Sequence, residues 1–210
     1  NMTNEGGVDG RFCFLKNIMG MWLLQECRRT WQQEGIALDY DTLQALAHDA
    51  PALVSLLDPD HPDFFSPGDM PARIVAYMQR TNQPVPEDRG TMVRCILESL
   101  ALKYRQVLCQ LESLTGRGIT TIHIVGGGSQ NSLLNQLTAD ATGRRVVAGP
   151  TEATAAGNIL VQAMAAGVLD SIQQGRSLIR SSFAPRVYQP RTNAAWDEAY
   201  EKFTALSQST

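Results

Sequence analysis

Apolar residues recur along this chain at two periods, and each change of period marks an element. In residues 18–34, Ile18, Met21, Trp22 and Gln25 fall at i, i+3, i+4 and i+7, the spacing of one helical stripe, and Gly35 closes the segment. A second helix is predicted over 40–49, with Asp41 or Thr42 near its cap. Residues 51–67 read mostly as loop, because Asp58-Pro59-Asp60-His61-Pro62-Asp63 is turn chemistry. A helix over about 71–80 ends before Pro84-Val85-Pro86. A long one follows over 88–114, carrying Met92, Ile96, Ser99, Leu100, Tyr104, Val107, Leu108 and Leu111. The period then shortens: Ile122, Ile124 and Val125 read as a buried strand. Beyond it come a helix over 132–142 ended by Gly143 and a brief strand over 145–148. A helix over 150–166 is ended by Gly167, with Pro150 or Thr151 at its start, and a last helix covers 193–206. A short strand is also expected within 11–16. Helix dominates, with a few strands near the middle, so the fold class is α/β or α+β.

The sharpest change of period lies at T-T-I-H-I-V-G-G-G-S-Q-N-S-L-L-N, residues 120–135. A β-branched run meets Gly126, Gly127 and Gly128, where a backbone without Cβ can turn sharply and admit a ligand closely. The helix that follows opens with backbone amides directed back at the loop, a ready phosphate or nucleotide site at the carboxyl end of a strand. The spacing is neither the G-x-x-x-x-G-K-S/T of a P-loop nor G-x-G-x-x-G, and no acidic residue follows about 20 positions on at a second clean strand. A tight turn with no ligand explains the glycines equally well.

Composition narrows the reading. The chain has 210 residues, 43% of them hydrophobic, enough for one large domain or two small ones, and its net charge of -3 is mixed along its length. With no basic patch interleaved by aromatics, nucleic acid is an unexpected partner. No apolar run reaches spanning length and no signal peptide stands at the start, so a membrane is not expected and a cytoplasmic setting is. Cys13, Cys27, Cys95 and Cys109 share no C-x-x-C spacing and read as small apolar residues in a reducing compartment. The opening Asn1-Met2-Thr3-Asn4-Glu5 reads as a cut inside a longer protein.

Few side chains offer chemistry. Asn131 can read a base or ribose with its amide, or cap the following helix, or do both. Gln25, on the apolar stripe of the first helix, needs partners from protein or ligand, and Asn17 can cap that helix. Thr151 to Asn158 opens a helix of small residues suited to close packing on a sheet, with Glu152 at its electropositive start. His123 is expected half-buried in the strand. His48 and His61 stand apart, so no metal site is suggested, and no Ser/His/Asp or Cys/His set can be assembled.

Three blocks then carry a resemblance. F-L-K-N-I-M-G-M-W-L-L-Q-E (14–26), I-H-I-V-G-G-G-S-Q-N-S-L-L-N-Q-L-T-A-D (122–140) and A-G-P-T-E-A-T-A-A-G-N (148–158) resemble the C-terminal domain of sugar kinases of the FGGY group. The first block is similar to the branch of that group that phosphorylates L-rhamnulose at O1, the rhamnulokinase branch. The resemblance runs from Thr3 to about Gly167. It implies an actin-like, ribonuclease-H-like ATPase fold in which two domains flank a cleft for ATP, Mg²⁺ and sugar. Residues 1–210 would be the C-terminal, nucleotide-binding domain, partnered by an N-terminal kinase domain outside the chain. The resemblance implies Gly127, flanked by Gly126 and Gly128, against the nucleotide, Asn131 at the adenine, Gln25 on the nucleotide, and Asn17 near the substrate. No catalytic residue is expected in this chain. The catalytic aspartate, the first phosphate-binding hairpin, most sugar contacts and most of the Mg²⁺ site belong to the other domain.

Other readings are a kinase for another ketose (xylulose, ribulose or fuculose), a non-catalytic nucleotide sensor, and a helical interaction module whose glycine loop binds nothing. Phosphoryl transfer needs positioning and charge neutralisation from both sides of the cleft. The chain by itself is therefore expected to turn over no L-rhamnulose in a coupled ADP-release assay. Turnover by the purified chain would overturn that expectation.

Overall fold

The computed structural model describes residues 2–191 and 194–208. Asn1, the first residue of the opening segment, and Asn193, the expected start of the last helix, lie outside the described residues. In chain order the elements are β1 (Thr3–Gly6), β2 (Phe12–Leu15), α1 (Trp22–Gln33), α2 (Tyr40–Asp49), α3 (Met70–Arg80), α4 (Arg89–Thr115), β3 (Thr121–Ile124), α5 (Ser132–Thr142), β4 (Arg145–Ala148), α6 (Ala153–Ala165), α7 (Ile172–Ser182), β5 (Arg186–Tyr188) and α8 (Ala195–Gln208). β1 and β2 pair antiparallel. β3 and β4 pair parallel, and β5 runs antiparallel to β4.

The boundaries of α2, α5 and β4 are those the sequence pattern predicts, because each carries its own punctuation. The Asp39 carboxylate, rather than Asp41 or Thr42, caps α2 by accepting from the Thr42 amide at 2.8 Å. The Asp88 carboxylate does the same for α4 through the Thr91 amide, and Gly116 and Gly143 end α4 and α5 with left-handed backbone. α1 starts at Trp22, four residues later than expected. The Met19 amide donates to Asp60 Oδ1 at 2.8 Å, which ties the preceding segment to a distant loop instead of the helical ladder. The buried face of α1 is accordingly Leu23, Leu24, Glu26, Cys27 and Trp31, and Gln25 points outward rather than into the core.

Other expectations are corrected at the sheet. Val125 lies beyond β3 and is half exposed, Ile122 and Ile124 are only partly covered, and His123 is exposed. α6 begins at Ala153, since Pro150 and Thr151 stay in the turn after β4. None of its residues is buried, and it packs on α7 through Leu160 and Gly175. Glu152 precedes α6 without capping it by a side-chain bond. The pattern did not announce α7 and β5: α7 carries a glycine and sparse apolar positions, and β5 spans three residues. Cys27 and Cys95 are buried, with burial pushing the Cys95 thiol up to about 12, whereas Cys13 and Cys109 are exposed; none of the four is paired.

The core is helical. Val93, Ile96, Leu97, Leu100 and Ala101 of α4 meet Leu23 and Cys27 of α1, Leu43 of α2, Ile74 and Met78 of α3, Leu133 and Leu137 of α5, and Phe203 of α8. α4 also buries charge. Burial lifts the Glu98 carboxyl above its usual range, and Arg94 opposes that with an ion pair at 2.6 Å. Glu98 Oε2 accepts from the Leu53 amide at 2.7 Å and Ser99 Oγ from the Leu57 amide at 3.0 Å. Lys103 Nζ bonds Asp58 Oδ1 at 2.9 Å and Asp60 Oδ2 at 3.2 Å.

Removing one partner of a buried ion group leaves the others uncompensated, at a cost of about 3–5 kcal/mol. Lys103→Met is expected to lose stability of that order in urea unfolding. Asp58→Asn introduced beside it should recover part of the loss, because one of the stranded carboxylates is gone.

Candidate functional site

The glycine turn after β3 is held in shape before any ligand arrives. Gly126 adopts φ +75°, which favours glycine, and its amide donates to Pro150 O at 3.1 Å across the turn that follows β4. Its carbonyl accepts from both the Ser129 amide at 3.0 Å and Ser129 Oγ at 2.7 Å. The Ser129 carbonyl accepts from Nδ2 of Asn135, a fully buried residue of α5, at 2.9 Å. Residues 127–130 thus form a single tight turn bonded on both sides.

This turn borders a cavity of about 340 Å³, the size range of small-molecule sites. Its walls are Met21 and Gln25 of the α1 region, Tyr40, Asp41 and Gln44 of α2, and Gly127, Gly128, Gln130 and Asn131 of the turn. Gln25, Gly127, Gly128 and Asn131 are therefore brought together on one cavity. Gly126 is not on the wall; it shapes the turn from behind. Asn17 is exposed on the segment between β2 and α1 and does not line the cavity. Met21, Tyr40, Asp41, Gln44 and Gln130 were not anticipated. Although α2 itself was legible, nothing in its sequence says which of its polar residues face the turn; that depends on how α2 crosses α4.

The expectation of open amides at the start of α5 is corrected. Asn131 is the N-cap, its Oδ1 accepting from the Leu134 amide at 2.9 Å. Gln44 Oε1 accepts from the Leu133 amide at 3.0 Å and from Ser132 Oγ at 3.2 Å. Two of the amides a phosphate would use are already bonded to side chains. At the rim, the Arg28 guanidinium lies 4.8 Å over the Tyr40 ring and donates through Nε to Leu38 O at 2.6 Å. Among the described residues Asp41 is the one carboxylate on the cavity wall. Among the described residues no group of three His, Cys, Asp or Glu is placed to hold a metal ion. The cavity wall thus offers amide donors, an aromatic ring and small backbone to a ligand.

Comparison with known proteins shows the family. Residues 1–166 match the FGGY family of carbohydrate kinases, C-terminal domain. The chain belongs to the FGGY family of carbohydrate kinases. It is 50% identical over 203 residues to a rhamnulokinase of Bacteroides thetaiotaomicron, covering 97% of this chain and 41% of that protein. It is 48% identical over 191 residues to a rhamnulokinase of Enterococcus faecalis, covering 90% of this chain and 38% of that one. The chain thus spans about two fifths of the length of these relatives. A xylulose kinase structure from Rhodospirillum rubrum matches with TM-score 0.65 at 20% identity, over 99% of this chain and 42% of that one. A Plasmodium falciparum glycerol kinase solved with ADP matches with TM-score 0.63 at 15% identity, over 96% and 38%. The mixed helix and sheet is the actin-like, ribonuclease-H-like fold of these sugar kinases.

Losing an N-cap side chain typically costs about 1 kcal/mol. Asn131→Ala is expected to destabilise the protein by that order. Asn131→Asp, which keeps the accepting oxygen, should stay within a few tenths of a kcal/mol of the parent by chemical denaturation.

Proposed function

We propose that this chain is the nucleotide-side half of an ATP-dependent kinase that transfers the γ-phosphoryl group to O1 of L-rhamnulose. The observation that carries the reading is the cavity itself: the triple-glycine turn and Gln25, the residues expected at a nucleotide, meet across one opening. The identity of about one half to rhamnulokinases, extending over nearly the whole chain, supports L-rhamnulose over xylulose, ribulose or fuculose.

In this reading the chain's own residues position and do not react. The flat face left by Gly127 and Gly128 receives the nucleotide against backbone, while Asn131 and Gln25 orient it through their amides. Mg²⁺ supplies charge neutralisation on the phosphates when bound, and a single cavity carboxylate leaves most of its ligands to a partner domain. The catalytic base and the phosphate cradle lie on that N-terminal domain, so the chain by itself is inactive. In this reading the enzyme works in the cytoplasm.

Gly127 is a clean probe. A Cβ built there meets nothing within 4 Å, and the turn does not require a left-handed backbone at this position. In the complete enzyme, Gly127→Val is expected to raise the KM for ATP by about tenfold or more, with the KM for L-rhamnulose and the unfolding midpoint unchanged. An unchanged KM for ATP rejects the placement. Failure to phosphorylate L-rhamnulose while another ketose is turned over rejects the substrate.

A further inference from the structure

The start of α5 orients two side-chain amides from two different elements. A backbone N–H can only donate, so whichever end of a carboxamide faces it must be the oxygen. The Leu133 amide therefore settles the orientation of Gln44, and the neighbouring Leu134 amide settles that of Asn131. Ser132 Oγ, which can donate or accept, fits that orientation by donating to Gln44 Oε1. Gln44 Oε1 already accepts twice and Asn131 Oδ1 once, so the NH₂ ends are the donors that the two side chains have left to offer. Both residues line the cavity bordered by the glycine turn. Gln44 is half-buried and belongs to α2, which packs on α4 through Leu43 and Ala47, so its backbone is anchored independently of the turn.

We propose that Gln44 is a base-reading residue: its Nε2 donates to an acceptor atom of the nucleotide's base, beside the Nδ2 of Asn131. This rests on the reading of the cavity as the nucleotide site. It assigns to α2 a share in base selection, through a donor whose direction is fixed before the nucleotide arrives. Asp41, one turn earlier on α2 and on the same wall, offers a complementary acceptor. A base that presents acceptors to the two amides is accepted; one that presents a donor there leaves the Gln44 amide unpaired, which is the stronger penalty.

The test uses the complete protein and binding rather than turnover. Dissociation constants of ADP, GDP, CDP and UDP are measured by calorimetry for the parent and for Gln44→Glu. That variant keeps an oxygen for the Leu133 amide and Ser132 but turns the donor into an acceptor. Its added charge weakens all four diphosphates alike, so the quantity read is the ratio among them. The preference of the parent for its best base is expected to fall by about tenfold, with the urea midpoint unchanged. A uniform loss over all four, or no loss, overturns the proposal. Should Gln44→Glu fail to fold, the same ratio on Gln44→Met decides. Gly127→Val binding ADP as tightly as the parent rejects the cavity reading itself. Weakened ADP binding by Gly127→Val with unaltered base ratios in Gln44→Glu rejects only the role of Gln44.

Discussion

The grip of α4 on residues 53–60 is the interaction on which the rest of the structure depends. This stretch runs across the helical core without a ladder of its own, and its backbone amides still need partners. Glu98, Ser99 and Lys103, on one face of α4, meet Leu53, Leu57 and the Asp58/Asp60 pair in turn. Gln83 adds a two-way bond to the Leu56 backbone, its Oε1 and Nε2 each at 2.8 Å. Asp60 then passes the constraint on through the Met19 amide, which decides where α1 begins. The cavity wall supplied by Met21 and Gln25 is thus set by charges buried on a helix that does not touch the cavity.

The second wall follows a parallel logic. α5 could have ended in open amides; instead it is closed by one side chain from its own N-cap and one from α2. Closing it ties α2 to the glycine turn, so three elements share a boundary with little freedom to drift. Asn135 adds support from beneath by bonding the Ser129 carbonyl. A site whose parts come from separate elements needs such cross-bonds to hold its geometry.

What the sequence made legible was whatever carried its own punctuation. Asp88 and Gly116 bracket α4, Gly143 ends α5, and the three glycines mark the turn. The first stripe was misread at Gln25: Met21 and Trp22 do pack against the core, but the fully buried face is set by contacts to α3 and α4 and leaves Gln25 outside it. Val125 looked like strand interior because β-branched residues favour strands; β3 ends before it, and at the margin of a helical core it stays exposed. Asn131 was legible as a cap because its short side chain places an accepting oxygen at the start of α5. Gln44 was not, since its meaning comes from a partner 89 residues away. The small residues of α6 suggested packing on a sheet, yet the helix packs on α7 and buries none of its residues.

The closed end of α5 also bears on how energy is distributed over a reaction cycle. A site that grips a nucleotide by its base and along a glycine backbone makes the same contacts before, during and after transfer of the terminal phosphoryl group. Such uniform binding holds ATP and ADP alike and lowers the barrier of the chemical step not at all. On the proposed reading, this half of the cleft is an anchor indifferent to the progress of the reaction. Whatever separates substrate from transition state, and whatever lets the product leave, must arise on the opposing side or in the movement of the two sides apart.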